Sequence, residues 1–149
     1  MLLKGKKIVL GVTGGIAVYK AVDLVSRLRK QGAEVRVVMT KHARQFVTPL
    51  TFKEISGNAV ATSMWNSNQE FNVEHIALAN WADVFVVAPA TANIIAKMAH
   101  GLADDLLSTT LLAAQAPIIV CPAMNTGMYE NALTQENITC LKKHGVTVM

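Results

Sequence analysis

Aromatic residues are scarce in this sequence, 5% of its 149 positions, and charged residues make up only 16%. So few charges exclude an extended, disordered chain. No run of ~18 apolar residues occurs, so no membrane-spanning helix is expected. The start, Met1-Leu2-Leu3-Lys4-Gly5-Lys6-Lys7, has no apolar stretch long enough for a secretory signal. The two cysteines, Cys121 and Cys140, form no CxxC pair. Without a secretion signal they are expected to be reduced thiols of a cytoplasmic protein. Lysines and arginines are scattered and do not alternate with aromatics, which argues against nucleic-acid binding. The net charge of +4 still favours an anionic small molecule. Neither HExxH nor a Cys/His cluster is present, so no metal is expected. G-x-S-x-G is missing as well, which excludes that class of serine hydrolase. There is no internal repeat, low-complexity stretch or linker.

What the sequence has instead is aliphatic bulk, with 52% hydrophobic residues. A core of small and branched aliphatics suits a parallel sheet covered on both faces. Lys7 to Val12 is an apolar run ending in glycines, a buried strand. From Ile16 to Gln31, apolar residues at intervals of three and four predict an amphipathic helix ended by Gly32. Residues 34–39 predict a second strand. Thr48-Pro49 predicts a helix start running to about Ser56. Residues 59–62 suggest a short strand, and the polar stretch 63–72 a loop. A short helix is predicted over 73–81, a central strand over 83–88 stopped by Pro89, and helices over 92–100 and 104–114. Asp104-Asp105 falls in the first turn of the latter, where acids are favoured. A buried strand over 118–121 stops at Pro122, a helix covers 128–144, and residues 146–149 form a last strand. Strands alternating with helices give a single α/β domain with a parallel sheet, helices on both faces and right-handed crossovers.

In such a sheet, ligands sit at the carboxyl ends of the strands. Four segments converge there: Thr13-Gly14-Gly15-Ile16, Thr40-Lys41-His42, Pro89-Ala90-Thr91-Ala92-Asn93 and Pro122-Ala123-Met124-Asn125. Glycines between a strand and a helix let backbone N–H groups approach an anion. The pattern is not the dinucleotide fingerprint, because Thr13 stands where a second glycine is needed, and no Walker lysine follows. The second strand ends in a hydroxyl and a cation, Thr40-Lys41, where a dinucleotide fold carries a ribose-binding acid. These groups suit a phosphate or a mononucleotide. The alternative at Gly14-Gly15 is a plain tight turn. Thr91 or Asn93 either caps the following helix or bonds a ligand. His75 lies in the first helical turn, where a second positive charge is disfavoured. A neutral imidazole there suits a general base, the alternative being a surface or capping residue. Asn125 could bind a carboxylate through its amide NH₂. His42, His100 and His144 read as solvated helix positions.

Taken together, Gly11-Val-Thr-Gly-Gly-Ile-Ala-Val-Tyr-Lys20, His75-Ile76-Ala77-Leu78, Ala88-Pro-Ala-Thr-Ala-Asn93, Gly101-Leu-Ala-Asp-Asp-Leu-Leu-Ser-Thr109 and Pro122-Ala-Met-Asn-Thr-Gly-Met128 resemble the flavin-containing cysteine decarboxylases. The likeness is chiefly to the N-terminal decarboxylase domains of bifunctional phosphopantothenoylcysteine decarboxylase/phosphopantothenate–cysteine ligases. It spans nearly the whole chain. The resemblance implies a Rossmann-like, flavodoxin-like fold and the cofactor FMN. It implies that Gly14, Gly15, Ile16 and Ala17 line the flavin site, that Thr40 and the Thr91-Ala92-Asn93 turn hold the ribityl phosphate and ring with Ala123 nearby, and that Lys41 is also among the cofactor-binding residues. It implies His75 as the catalytic base, Asn125 with Met124 at the substrate, and sites completed by a neighbouring copy in a homotrimer or dodecamer. The implied reaction is oxidative decarboxylation of 4′-phospho-N-pantothenoylcysteine towards 4′-phosphopantetheine, in coenzyme A biosynthesis.

One departure stands out. The family's reduction step uses a cysteine on a flap beyond the Pro-Ala-Met-Asn motif, and no cysteine occupies that position here. The resemblance therefore implies a domain, residues 1–149, that ends before the flap and before a following ligase domain, and that is poor at the final reduction. Alternatives are a peptidyl-cysteine decarboxylase of lantibiotic maturation, a flavin prenyltransferase and a non-catalytic regulatory subunit of flavodoxin-like fold.

Overall fold

The aliphatic runs form strands because each is apolar on both faces and too short for a buried helix. The computed structural model describes residues 1–65 and 73–149. Its strands are β1 (Lys7–Val12), β2 (Glu34–Met39), β3 (Val84–Ala90), β4 (Ile118–Pro122) and β5 (Thr147–Val148). The helices are α1 (Val18–Lys30), α2 (Pro49–Ser56), α3 (Glu74–Trp81), α4 (Ala92–His100), α5 (Leu106–Ala113), α6 (Thr126–Glu130) and α7 (Ala132–Lys143), with a 3-10 turn at Ala43–Gln45. All strand pairs are parallel, in the order β2-β1-β3-β4-β5. This is the flavodoxin-like order, as expected. The chain reverses its direction of travel across the sheet between β1 and β3, and a ligand crevice opens at such a switch point.

Alternate residues of each strand feed two cores. Ile8, Leu10, Val12, Val35, Val37 and Met39 pack with Val18, Val25 and Phe52 of α1 and α2. Val9, Val38, Phe85, Val87 and Val120 pack with residues of α3, α4, α5 and α7. Phe52 and Phe85 are fully buried, each contributing about 2–3 kcal/mol of transfer free energy. Gly101 ends α4 with a left-handed φ of 67°, a conformation open to glycine without the Cβ penalty.

Several expected boundaries shift. β3 continues through Pro89 to Ala90, because the ladder reforms beyond an irregularity and Ala90 pairs with Pro122. The expected strand over 59–62 is only a bridge of Ala61 to Val38. Asp105 is the N-cap of α5 and not a first-turn residue, its carboxylate accepting from the Ser108 N–H. The single helix expected over 128–144 is two, divided at Asn131, whose side chain accepts from the Leu133 N–H and restarts the helix. Of the polar stretch 63–72, residues 66–72 lie outside the described residues.

Candidate functional site

The crevice is anchored by a buried hydroxyl. Thr13 is 3% exposed. Its O–H donates to the Pro89 carbonyl at 2.6 Å, its oxygen accepts from the Thr91 N–H at 3.1 Å, and its own N–H reaches Pro89 at 3.3 Å. These bonds tie the end of β1 to the end of β3 at the switch point. Satisfied buried bonds of this kind are costly to break, because each orphaned partner keeps its desolvation penalty.

Beyond Thr13 the two glycines do different work. A Cβ on Gly14 would lie 2.4 Å from the Cβ of His42 and 2.8 Å from its carbonyl carbon. Gly14 is therefore needed for the close approach of the 40–43 loop. A Cβ on Gly15 would meet only Thr91 Cγ2, at 4.0 Å. Nothing among the described residues requires glycine at position 15, and the space beside it is open among them. The backbone N–H groups of Gly14, Gly15, Ile16 and Ala17 donate to no protein acceptor among the described residues, and α1 has no side-chain cap. Open amides at a helix N-terminus are an anion-binding arrangement.

These elements enclose a cavity of about 240 Å³. Of the expected residues, Gly14, Thr40, Lys41, Thr91 and Asn93 line it. Thr40 accepts from the Ala43 N–H at 3.3 Å, and Thr91 caps α4 by accepting from the Ile94 N–H at 3.3 Å. Each hydroxyl keeps its proton for a further acceptor. His42, expected as a solvated helix position, also lines the cavity, as do Lys97 and Asp105. Lys97, its side chain 17% exposed, lies 2.8 Å from Asp104 Oδ1 and 3.9 Å from Asp105 Oδ2. It holds the Asp104 carboxyl below the ordinary aspartate range. Lys97 is thus neutralised locally, while Lys41 has no ion-pair partner among the described residues.

The other expected residues lie apart from this cavity. Ala17 and Ala123 line a groove of about 330 Å³ between α1 and the ends of β3 and β4, with Lys20, Pro89 and Cys121. Burial pushes the Cys121 thiol up, so it stays protonated near neutrality. Ala92 lines a third, open hollow of about 600 Å³ with Asn93 and Met128. Asn125 is exposed and caps α6, its Oδ1 accepting from the Met128 N–H at 2.8 Å. That bond leaves the NH₂ group to face a ligand. Met124 packs against the core instead. Ile16 is 78% exposed at the start of α1. His75 is half-buried in the first turn of α3 and is not among the residues lining the cavity of its own chain.

Lys97 and Asp105 carried little signal in the sequence, because a lysine within a helix and an acid before one read as ordinary surface and cap. The switch-point order, the open amides and the hydroxyls at the ends of β2 and β3 make a donor-rich crevice in a flavodoxin-like architecture. A family model described as Flavoprotein matches residues 2–149. The chain belongs to the Flavoprotein family.

Relatives within this family agree with that placement. The chain is 53% identical over 146 residues to the coenzyme A biosynthesis bifunctional protein CoaBC of Vibrio vulnificus, covering 98% of this chain and 36% of that one. The chain therefore spans little more than a third of such relatives. Among solved structures, the FMN-dependent cysteine decarboxylase SpaF superposes with a TM-score of 0.90 at 36% identity, covering 98% of this chain and 84% of SpaF. A cysteine-to-serine variant of PPC decarboxylase, complexed with pantothenoylaminoethenethiol, gives a TM-score of 0.81 at 33% identity, covering 97% of this chain and 81% of that one. In this Flavoprotein chain no helix among the described residues is long and apolar enough to cross a membrane.

Proposed function

We propose that this Flavoprotein chain binds FMN and decarboxylates the cysteine carboxyl group of 4′-phospho-N-pantothenoylcysteine, in coenzyme A biosynthesis. The observation that carries the reading is the open space at Gly15 beside four unpaired amides and Thr91. An FMN phosphate fits the amides of Gly14 to Ala17 with Thr40 and Lys41, and the Thr91-Ala92-Asn93 turn offers donors to the rest of the cofactor. Ala123 leaves room for a flat ring at the end of β4. When bound, FMN supplies two-electron oxidation of the cysteine side chain, so that the carbon–sulfur double bond formed on the substrate accepts the electron pair left by CO₂.

The remaining work falls to side chains. Asn125, its Oδ1 held by the Met128 N–H, presents its NH₂ to the substrate carboxylate and fixes the bond to be broken. His75 takes a proton from the substrate as general base. Because His75 does not line its own cavity, it serves the site of a neighbouring copy, and the working form is a homotrimer or an assembly of trimers. Ile16 and Tyr19, 78% and 60% exposed, give apolar area for that contact.

The purified protein is expected to be yellow or to take up FMN stoichiometrically, and to release CO₂ from the phosphorylated substrate. Colourless protein that fails to bind added FMN defeats the proposal. A second reading is favoured by one observation, the closer superposition on SpaF, a cysteine decarboxylase, at 0.90 against 0.81. Assaying a cysteine-ending peptide beside the phosphorylated substrate separates the two.

A further inference from the structure

A further cavity, of about 300 Å³, lies where α4, α5 and α7 pack beside β4. Met98, Leu111, Ile118, Leu141 and Val146 line it, together with the exposed Leu102 and Leu112. No Phe, Tyr or Trp is among its lining residues. Four polar side chains interrupt the apolar wall, Lys97, Ser108, Cys140 and His144, and each is already engaged. Lys97 pairs with Asp104 at 2.8 Å. The Ser108 hydroxyl donates to Asp105 Oδ1 at 2.6 Å. The Cys140 thiol donates to the Ala99 carbonyl at 3.7 Å, and His144 Nδ1 donates to the Cys140 carbonyl at 2.8 Å. Lys97 lines the polar crevice as well, as does Asp105.

We infer that this cavity is a second small-molecule site, for a compact uncharged aromatic compound, and that its occupant is linked to the polar crevice through Lys97 and Asp105. Volume sets the size of the ligand. An apolar cavity of about 150 Å³ takes a benzene ring, so twice that space suits two fused rings. An apolar pocket of this size with a few convergent polar groups is the usual form of a small-molecule site. The wall sets the charge. Its one cation is paired, so an ionised ligand would give up its hydration and find no free counter-ion. The Met98 thioether favours a ring over an aliphatic chain, because sulfur makes good contacts with aromatic edges. Two wall residues provide the link. Lys97 lies 3.9 Å from Asp105 Oδ2 and Ser108 lies 2.6 Å from Asp105 Oδ1. A ligand that displaces either side chain moves a carboxylate of the polar crevice. Such coupling is reciprocal, so the occupant of one cavity alters the hold on the other. The link rests on the FMN reading under Proposed function, whereas the site does not.

The test titrates the FMN-loaded protein with indole by calorimetry, and with an indole carboxylate as the charged comparison. FMN content, read from the visible spectrum, establishes that each variant is folded. Indole is expected to bind wild type, and the carboxylate at least tenfold more weakly. Ala99→Leu fills the cavity, and Leu112→Glu places a charge among its lining residues from an exposed position that the fold tolerates. Each is expected to weaken indole binding at least tenfold. Saturating indole is expected to change the rate of FMN release on dilution at least threefold in wild type and not in Leu112→Glu. No indole binding to wild type overturns the inference. Binding that persists in Leu112→Glu, or a carboxylate that binds as well as indole, overturns it too. Binding at the cavity with FMN release unchanged overturns the link. A protein that takes up no FMN defeats the proposed function and the link with it, while the indole titration still decides the site.

Discussion

Where β1 meets β3, the chain presents, among the described residues, four amides with no protein acceptor, three threonines and a lysine with no ion-pair partner. Along α1 beside β4, only a few ångströms of sheet away, it presents alanines, prolines and one ammonium. Both crevices open at the carboxyl ends of the same strands, so the sheet alone does not make them differ. The difference comes from the turns. A turn that begins a helix with glycines leaves its amides bare. Pro89 and Pro122, near the ends of β3 and β4, have no N–H to offer the second crevice. A polar crevice therefore lies against an apolar one.

The largest expected effect concerns a residue in neither crevice. His75→Asn should lower the rate of CO₂ release by at least ~100-fold, the usual scale of a general base, while the protein stays loaded with FMN. Normal turnover in that variant would remove His75 from the mechanism. Next is the clamp between the crevices. Thr13→Val removes the hydroxyl and leaves the Thr91 N–H without its acceptor, at a cost of about 2 kcal/mol. The urea midpoint should fall, and FMN affinity with it. Should the midpoint hold while FMN binding fails, Thr13 is a ligand contact and not a clamp. The two glycines sharpen the contrast further. Gly14→Ala forces a shift against the His42 backbone, costing about 1–3 kcal/mol, and should lower the melting temperature. Gly15→Ala meets only open space, so its melting temperature should hold while FMN affinity falls about tenfold, ~1.4 kcal/mol. If both variants lose stability alike, the space beside Gly15 is not reserved for a ligand.

The sheet was legible in the sequence because its strands are apolar on both faces and bounded by glycine or proline. The helices were legible from their apolar spacing, but their ends depended on single side chains. Asn131 dividing the last helix is an example. Nothing in the apolar pattern marks a break there, since one asparagine side chain bonding the Leu133 N–H decides it. The glycine turn, Thr40-Lys41 and Thr91-Asn93 were readable because local backbone chemistry sets their role. The part played by Lys97 and Asp105 was not, because it arises from α4 and α5 being brought together in space. His75 shows the converse. Its motif was legible, yet the fold of one chain does not bring it to that chain's own crevice.

The smallest effect lies at the rim of the polar crevice. Lys97 holds the Asp104 carboxyl below its ordinary range, chiefly by donating a hydrogen bond to it. A carboxylate whose pKa is lower folded than unfolded adds stability above its unfolded pKa, and that stability is lost as the pH falls through the folded value. The gap in stability between wild type and Asp104→Asn should thus be open at neutral pH and close as the pH drops below about 4, where the aspartate takes up its proton. The side chain is 64% exposed, and solvent-screened pairs of this kind contribute about 0.2–1 kcal/mol. The difference should also shrink in ~1 M salt, where charges are screened within about 3 Å. Urea melts across pH 3 to 7, at low and high salt, measure it. A gap that does not narrow between pH 7 and pH 3 would mean that Asp104 acts through packing and not through its charge. Lys97 would then be less neutralised than its contacts indicate, and its ammonium would count with Lys41 among the cations of the polar crevice.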